Sequence, residues 1–266
     1  MRAAGVSVVG VHGRRATDAP LAVSAGPLPA ALATATVVLV TVRDEQLVDA
    51  LAELHGAALA PGAVVLHASG SLDPRPALDP LRGAGHPTGT FHPLVPLADP
   101  GRASGMLRGA WVGIDGDEAA MRVAETLAER LGAHVLTIPA AGRVAYHAAA
   151  VIASNFPTVL AALAARLMQQ AGVEPSSARD AVRHLMAAAM TNLGSAAPLS
   201  ALVGPVSRGD AETIARHLAA LAGDPDLLSV YVALSRVALS LAAERGGVDP
   251  AALARIRDLL DVSSSR

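Results

Sequence analysis

The stretch with most chemical content is Tyr146-His147-Ala148-Ala149-Ala150-Val151-Ile152-Ala153-Ser154-Asn155. On a helix, His147, Val151 and Asn155 stand at i, i+4 and i+8, which brings His147 and Asn155 near one face of a segment otherwise small and apolar. Polar groups among Ala and Val need partners or a purpose. Histidine moves protons near neutral pH, and asparagine orients a carbonyl or imine, so the two are the candidate catalytic residues. A hydrogen-bonded pair between helices is the alternative. Ser154, beside Asn155, is a candidate for substrate binding.

Two loops add to this set. His67-Ala68-Ser69-Gly70-Ser71 places small hydroxyl residues around a flexible glycine, and Ser69 and Ser71 can bind a carboxylate or carbonyl through hydroxyl and backbone N–H donors. Turn chemistry alone also accounts for Ser-Gly-Ser. Thr90-Phe91-His92-Pro93-Leu94 brings His92 to the same rim, as a substrate-binding candidate or a packing residue. Further on, Arg208 of Ala201-Leu202-Val203-Gly204-Pro205-Val206-Ser207-Arg208-Gly209-Asp210 either holds an anionic group or clamps a loop–helix corner, and Asp210 reads as a helix N-cap. The nine histidines show no tight metal-binding spacing.

Short β-branched runs alternating with Ala-rich segments predict a parallel sheet with crossover helices, which must carry these loops at its strand ends. The expected strands are Val6–Val11, Thr36–Val42, Ala63–His67, Thr88–Phe91, Ala110–Ile114 and His134–Thr137, with helices over Glu45–Leu59 and Glu118–Leu131. Asp73–Gly89 and His92–Gly105, rich in Pro and Gly, read as loops. After Ile138 the strand signals stop, so residues 1–139 form the sheet domain and residues 140–266 an all-helical one. Its helices are expected over Ala145–Ala171, Ser176–Thr191, Asp210–Ala222, Pro225–Arg245 and Pro250–Leu260. The strand Val6–Val11 runs into His12-Gly13-Arg14-Arg15. Arginines at the end of a second Rossmann strand accommodate the 2′-phosphate of NADP, so Arg14 and Arg15 are cofactor candidates, with a solvated loop pair as the alternative. Val42 and Asp44, around the end of the Thr36–Val42 strand, join them.

Composition removes other chemistries. All 21 basic residues are arginine and there is no cysteine, so Schiff-base lysines, Walker-type lysines, thiolates and disulfides are excluded. A net charge of −2 with scattered arginines and 2% aromatic residues argues against a nucleic-acid partner. Uninterrupted apolar runs, such as Val37–Val40 and Ala148–Ala153, fall short of the roughly 18–20 residues of a membrane span, and the expected compartment is the cytoplasm.

HxSGS after one strand, FHPL after the next, YHAAAVIASN, ALVGPVSRGD followed by Thr213 and His217, and a late helix bearing Tyr231 resemble a bacterial two-domain family. That family is Rossmann-like with a C-terminal helical domain of unknown function. It is similar to the deazaflavin-dependent NADP oxidoreductases and, more distantly, to ketopantoate reductase, pyrroline-5-carboxylate reductase and 6-phosphogluconate dehydrogenase. The resemblance implies NADP, with a deazaflavin coenzyme as a further candidate, and hydride transfer to a C=O or C=N group of a small carboxylate-bearing substrate. It also implies a homodimer joined through the helical domain. A non-catalytic ligand-binding or sensor protein is the competing expectation. Many hydroxyacid-type relatives use a lysine four residues before an asparagine on the first interdomain helix. This chain has no lysine, which moves that role to His147. No strand here runs into GxGxxG, so the expectation is a chain that starts after the family's first strand and glycine-rich turn, or else a degenerate relative.

Overall fold

The computed structural model describes residues 1–18, 22–72, 75–96, 100–195 and 198–264. The chain forms two compact units, Met1–Pro157 and Thr158–Arg266.

In the first unit, five strands form one sheet in the order β1 (Val37–Val40), β2 (Val64–His67), β3 (Thr88–Pro93), β4 (Trp111–Gly116) and β5 (His134–Thr137). β1, β2 and β3 are parallel, β4 runs antiparallel to β3, and β5 is parallel to β4. The α/β expectation holds, with one antiparallel pair that the sequence reading did not anticipate. The helices are α1 (Asp44–His55), α2 (Arg75–Gly83), α3 (Pro100–Leu107) and α4 (Glu118–Leu131). α2 and α3 replace the loops expected there; Asp73 and Pro74, and residues 97–99, lie outside the described residues. α2 forms despite Pro76 and Pro80 because Leu78 and Leu81, three apart, are buried on one side. Pro76 also falls in the first turn, where its missing N–H costs nothing.

The expected strand Val6–Val11 does not form: residues 6–10 have no regular structure. The segment that follows makes only isolated bridges, His12 to Ser24 and Thr17 to Val23. A β-branched run becomes a strand only when a neighbour takes its N–H and C=O groups, and Val6 instead packs beside Val37 and Leu39 on the sheet's core. Arg14 and Arg15 therefore do not end a sheet strand.

The register sorts side chains onto two faces. On one face Val64, Leu66, Phe91, Val112 and Ile114 bury against Ala120, Ala124, Leu127 and Ala128 of α4. On the other, Val40 and Val65 pack with Leu47, Leu51 and Leu54 of α1 and with Leu78 and Leu81 of α2. Each of these buried leucines is worth about 1.5–3 kcal/mol. That second face turns polar towards β3 and β4. His67 pairs with Thr90 and Thr90 with Asp115, while His92 pairs with Gly113. Asp117 ties α2, β3 and α4 together by accepting from the Thr88 N–H (2.7 Å), the Thr88 hydroxyl (3.1 Å) and Arg82 Nε (3.0 Å). Burial alone raises this carboxyl, but the bonds from Thr88 and Arg82 outweigh it and hold the group below its ordinary value.

α5 (Arg143–Gln170) is one continuous helix whose first part belongs to the sheet unit. The second unit continues with α6 (Pro175–Ser195), α7 (Pro198–Ala201), α8 (Pro205–Arg208), α9 (Ala211–Leu221), α10 (Pro225–Arg245) and α11 (Pro250–Ser264). Its core joins Ile214 and Leu218 of α9, Val232 and Leu239 of α10, and Leu253, Ile256 and Leu260 of α11. Asp210 caps α9 by accepting from the Thr213 N–H, as expected, and Asp224 caps α10. By length and composition, Ala140–Gln170 and Pro225–Arg245 are apolar enough to cross a membrane. Counting uninterrupted runs overlooks this, because scattered polar residues such as Ser154, Asn155, Ser229 and Ser240 break the runs while the mean hydropathy stays high.

Candidate active site

The carboxyl ends of β1, β2 and β3 open onto one edge of the sheet, where α/β proteins bind ligands. β2 ends in His67 and continues through Ser69-Gly70-Ser71; β3 ends with His92-Pro93; β1 leads to Asp44 at the start of α1. Over the polar face, Arg143, Tyr146 and His147 of α5 stand at i, i+3 and i+4 and so share one side of the helix.

Gly70 is the centre of the arrangement. A methyl group there would lie 2.6 Å from His92 Cε1, 2.7 Å from His92 Nε2 and 2.9 Å from His147 Nδ1. Only a glycine lets both imidazoles close on the loop. The His92 and His147 rings meet edge-on, with centroids 6.0 Å apart. The loop is braced at both ends: the Ser69 hydroxyl accepts from the Leu72 N–H (3.1 Å), and the Ser71 hydroxyl donates to Asp44 Oδ2 (2.5 Å). Since the one hydroxyl proton of Ser71 is donated to Asp44, Ser71 meets a ligand as an acceptor, whereas the Ser69 proton has no acceptor among the described residues.

Beneath the loop, His67 is buried and its Nε2 is 3.0 Å from the Thr90 hydroxyl. Burial, reinforced by the Arg143 charge, pushes its pKa down to about 4, so it is neutral at physiological pH. Burial, then the neighbouring His147, lowers His92 as well. Arg143 is the buried cation of the site, donating from Nη2 to Asp115 at 2.8 Å. Tyr146 places its hydroxyl 2.8 Å from His92 Nδ1, and burial pushes its pKa up to about 12. His67 Nδ1, Arg143 Nε and His147 Nδ1 are buried without a hydrogen-bond partner among the described residues. Buried polar atoms left unpaired are costly, and three of them in one neighbourhood mark a place where a ligand or water completes the bonding.

Of the residues expected from sequence, Ser69, Ser71, His92, His147 and Asp44 come together here. Ser154 and Asn155 lie about two helical turns further along α5, where the Ser154 hydroxyl bonds Ala150 O (2.8 Å) and Asn155 Oδ1 (2.9 Å) and Asn155 is exposed. Val42 is exposed at the β1–α1 turn. Arg14 and Arg15 are exposed, with the Arg14 guanidinium 2.8 Å from the Gln46 side-chain amide on α1. Arg208 is an exposed residue of the helical unit; the clamp at that corner is Arg245, which donates to Leu202 O and Ser207 O, both at 2.8 Å. The helical unit also joins His217 Nδ1 to the Tyr231 hydroxyl at 2.8 Å, uniting two of the motif residues. Sequence reasoning missed Tyr146, Arg143 and Asp115 as site residues. The i, i+3, i+4 spacing of Arg143, Tyr146 and His147 was the available signal.

Residues 110–238 match the model of a family described as a domain of unknown function, DUF2520. The match takes in both the YHAAAVIASN and ALVGPVSRGD motifs, and the resemblance drawn from them holds. Among solved structures the chain is similar to protein TM1727 from Thermotoga maritima, at 27% identity and a TM-score of 0.63 over 79% of each chain. It is also similar to BF3122 from Bacteroides fragilis, a candidate NADP oxidoreductase, at 21% identity and a TM-score of 0.67 over 89% of this chain and 90% of that one. An imine reductase from Pseudomonas sp. aligns at 16% identity and a TM-score of 0.54 over 84% and 79%. These likenesses establish the fold as Rossmann-like with a helical C-terminal part. No curated protein matches the chain.

Proposed function

We propose that the chain is an NADP-linked oxidoreductase that reduces a C=O or C=N group of a small carboxylate-bearing substrate. The observation that carries this reading is the pair of imidazoles, His92 and His147, closed on the Ser69-Gly70-Ser71 loop at the carboxyl edge of the sheet. The fold is shared with proteins named for NADP and imine reduction. In this reading NADPH, when bound, would supply the hydride, and His147, in its imidazolium form, would supply the proton that completes the alcohol or amine and be left as the neutral imidazole. Ser69 donates to a carboxylate or carbonyl oxygen, and Asn155 anchors the substrate or the nicotinamide.

The described residues suit one end of NADP and not the other. Arg14 and Arg15 offer exposed guanidinium groups for a 2′-phosphate. A pyrophosphate needs open backbone N–H groups at a glycine-rich helix start. The β1–α1 turn has no glycine and α1 opens with Asp44 and Glu45, while Gly70 of the β2 loop is closed in by imidazoles. That mismatch favours a second reading, a ligand-binding protein without turnover that uses the same site. Fluorescence titration with NADPH separates the two: micromolar binding supports the oxidoreductase, and none at millimolar NADPH supports the binding protein. Given NADPH turnover, His147→Ala is expected to lose about tenfold to a hundredfold in rate, the low end of general-acid effects. An unchanged rate removes His147 from the reaction.

We also propose a homodimer through the helical unit, supported by Leu185, Met190 and Leu193 of α6 and Leu234 and Val237 of α10, all large apolar side chains left exposed in the single chain. Sedimentation equilibrium tests it; a monomer at tens of micromolar protein overturns it.

A further inference from the structure

Tyr146 meets His92 edge-to-face, with ring centroids 5.6 Å apart and planes at 81°, and its hydroxyl lies 2.8 Å from Nδ1. Its seat is made by Gly113 of β4, where any side chain would occupy the space of the hydroxyl. A phenol has one proton to give, and a neutral imidazole carries one proton on either nitrogen. If Nδ1 held the ring proton and donated to the phenol oxygen, the phenol O–H would need another acceptor. Among the described residues that hydroxyl has no second partner. If instead the phenol donates to Nδ1, the phenol proton and the Nδ1 lone pair satisfy each other, and the ring proton resides on Nε2, at the loop where a ligand oxygen can accept it. Burial supports the same arrangement, keeping Tyr146 protonated and His92 neutral. The direction of Nε2 is fixed too, since it lies 2.7 Å from the point a Gly70 methyl group would occupy.

We propose that Tyr146 is a positioning residue: its hydroxyl donates to His92 Nδ1, fixing His92 as the Nε2–H tautomer, whose N–H at the Ser69-Gly70-Ser71 loop binds a carboxylate or carbonyl oxygen of the ligand. His92 is then a hydrogen-bond donor that keeps its proton, because giving it up would leave an imidazolate. The two imidazoles thus divide the work, with His92 holding an oxygen and His147 transferring a proton. The tautomer is independent of the oxidoreductase reading, whereas the nature of the bound oxygen rests on it.

Long-range proton–nitrogen NMR on the full chain labelled with ¹⁵N-histidine reads the tautomer directly, with His92→Gln assigning the signals. At pH 7.5 the native protein is expected to show His92 protonated on Nε2. Tyr146→Phe removes the donor, and Gly113→Ala displaces the hydroxyl while keeping the tyrosine; in either variant that retains its native circular dichroism, the Nδ1–H form is expected to appear. Pyruvate, which carries both a carboxylate and a carbonyl, serves as the probe. It should shift the His92 Nε2 signal and bind Tyr146→Phe about fivefold more weakly, the worth of one neutral hydrogen bond. A native His92 protonated on Nδ1, or a tautomer unchanged in both variants, overturns the positioning role. Absence of a pyruvate shift at His92 overturns the oxygen-binding role. NADPH binding is scored separately: an Nε2–H tautomer in a protein that does not bind NADPH leaves Tyr146 as the positioning residue and overturns the oxidoreductase reading.

Discussion

The α-carbon of Gly70 faces the imidazole of His147 so closely that a methyl group there would stand 2.9 Å from Nδ1, while also overlapping the ring of His92. The His92 ring cannot swing away freely, because its Nδ1 is held by the Tyr146 hydroxyl at 2.8 Å. Gly70→Ala is therefore an overpacking substitution, expected to cost about 1–3 kcal/mol. Urea unfolding checks it: the midpoint should fall with the slope unchanged, and an unmoved midpoint would show that the loop and the rings are not in contact.

His67 makes stability depend on pH with a definite sign. Its pKa is about 4 in the folded chain against 6.5 in the unfolded one, so the unfolded state takes up the proton first as pH falls. Its contribution is fully present above pH 6.5 and is lost between there and pH 4, by roughly 3 kcal/mol. His92, lowered in the same direction, adds to the loss. Unfolding free energies measured from pH 7 to 4 should decline less steeply in His67→Gln than in the native chain. Parallel curves would remove His67 as the cause.

Arg143 and Asp115 are an unequal pair. The arginine side chain is 6% exposed and the aspartate 28%. Removing the aspartate charge strands a buried guanidinium, whereas removing the arginine leaves a carboxylate that water reaches. Asp115→Asn is expected to destabilise by about 2–4 kcal/mol, and Arg143→Met by at least about 1 kcal/mol less. Equal costs in denaturant unfolding would contradict the asymmetry.

These sites also show what was legible in the sequence. Glu118–Leu131 and Pro225–Arg245 end where they were expected, because Gly132 and Gly246 stop them in left-handed or extended positive-φ conformations that other residues resist. His92 and His147 stood out as polar residues beside strands and small side chains. Tyr146, Arg143 and Asp115 did not: the i, i+3, i+4 spacing puts Arg143 and Tyr146 on the His147 side of a helix, but what that side meets depends on strand pairing. Only the antiparallel register of β3 and β4 sets Gly113 beside His92 and Asp115 beside Thr90. A pattern of residue types carries no such register. Val6–Val11 failed for the opposite reason: its pattern suits a strand, but among the described residues only its last carbonyl, that of Val11, finds a neighbouring segment, accepting from the Ser24 N–H at 2.9 Å, and no ladder forms.

Arg14 provides a charge test of the cofactor. Its guanidinium is exposed beside Gln46 on α1, so it can turn to a phosphate without leaving a buried partner unpaired. A charge-assisted hydrogen bond to the 2′-phosphate is worth about 1.5–3 kcal/mol, roughly tenfold to a hundredfold in affinity. Arg14→Ala should therefore weaken NADPH by that factor and leave NADH, which lacks the phosphate, unchanged. The ratio of the two affinities cancels any general loss of the nucleotide site. If the ratio is the same in the native chain and the variant, Arg14 does not read the phosphate, and Arg15 becomes the residue to test.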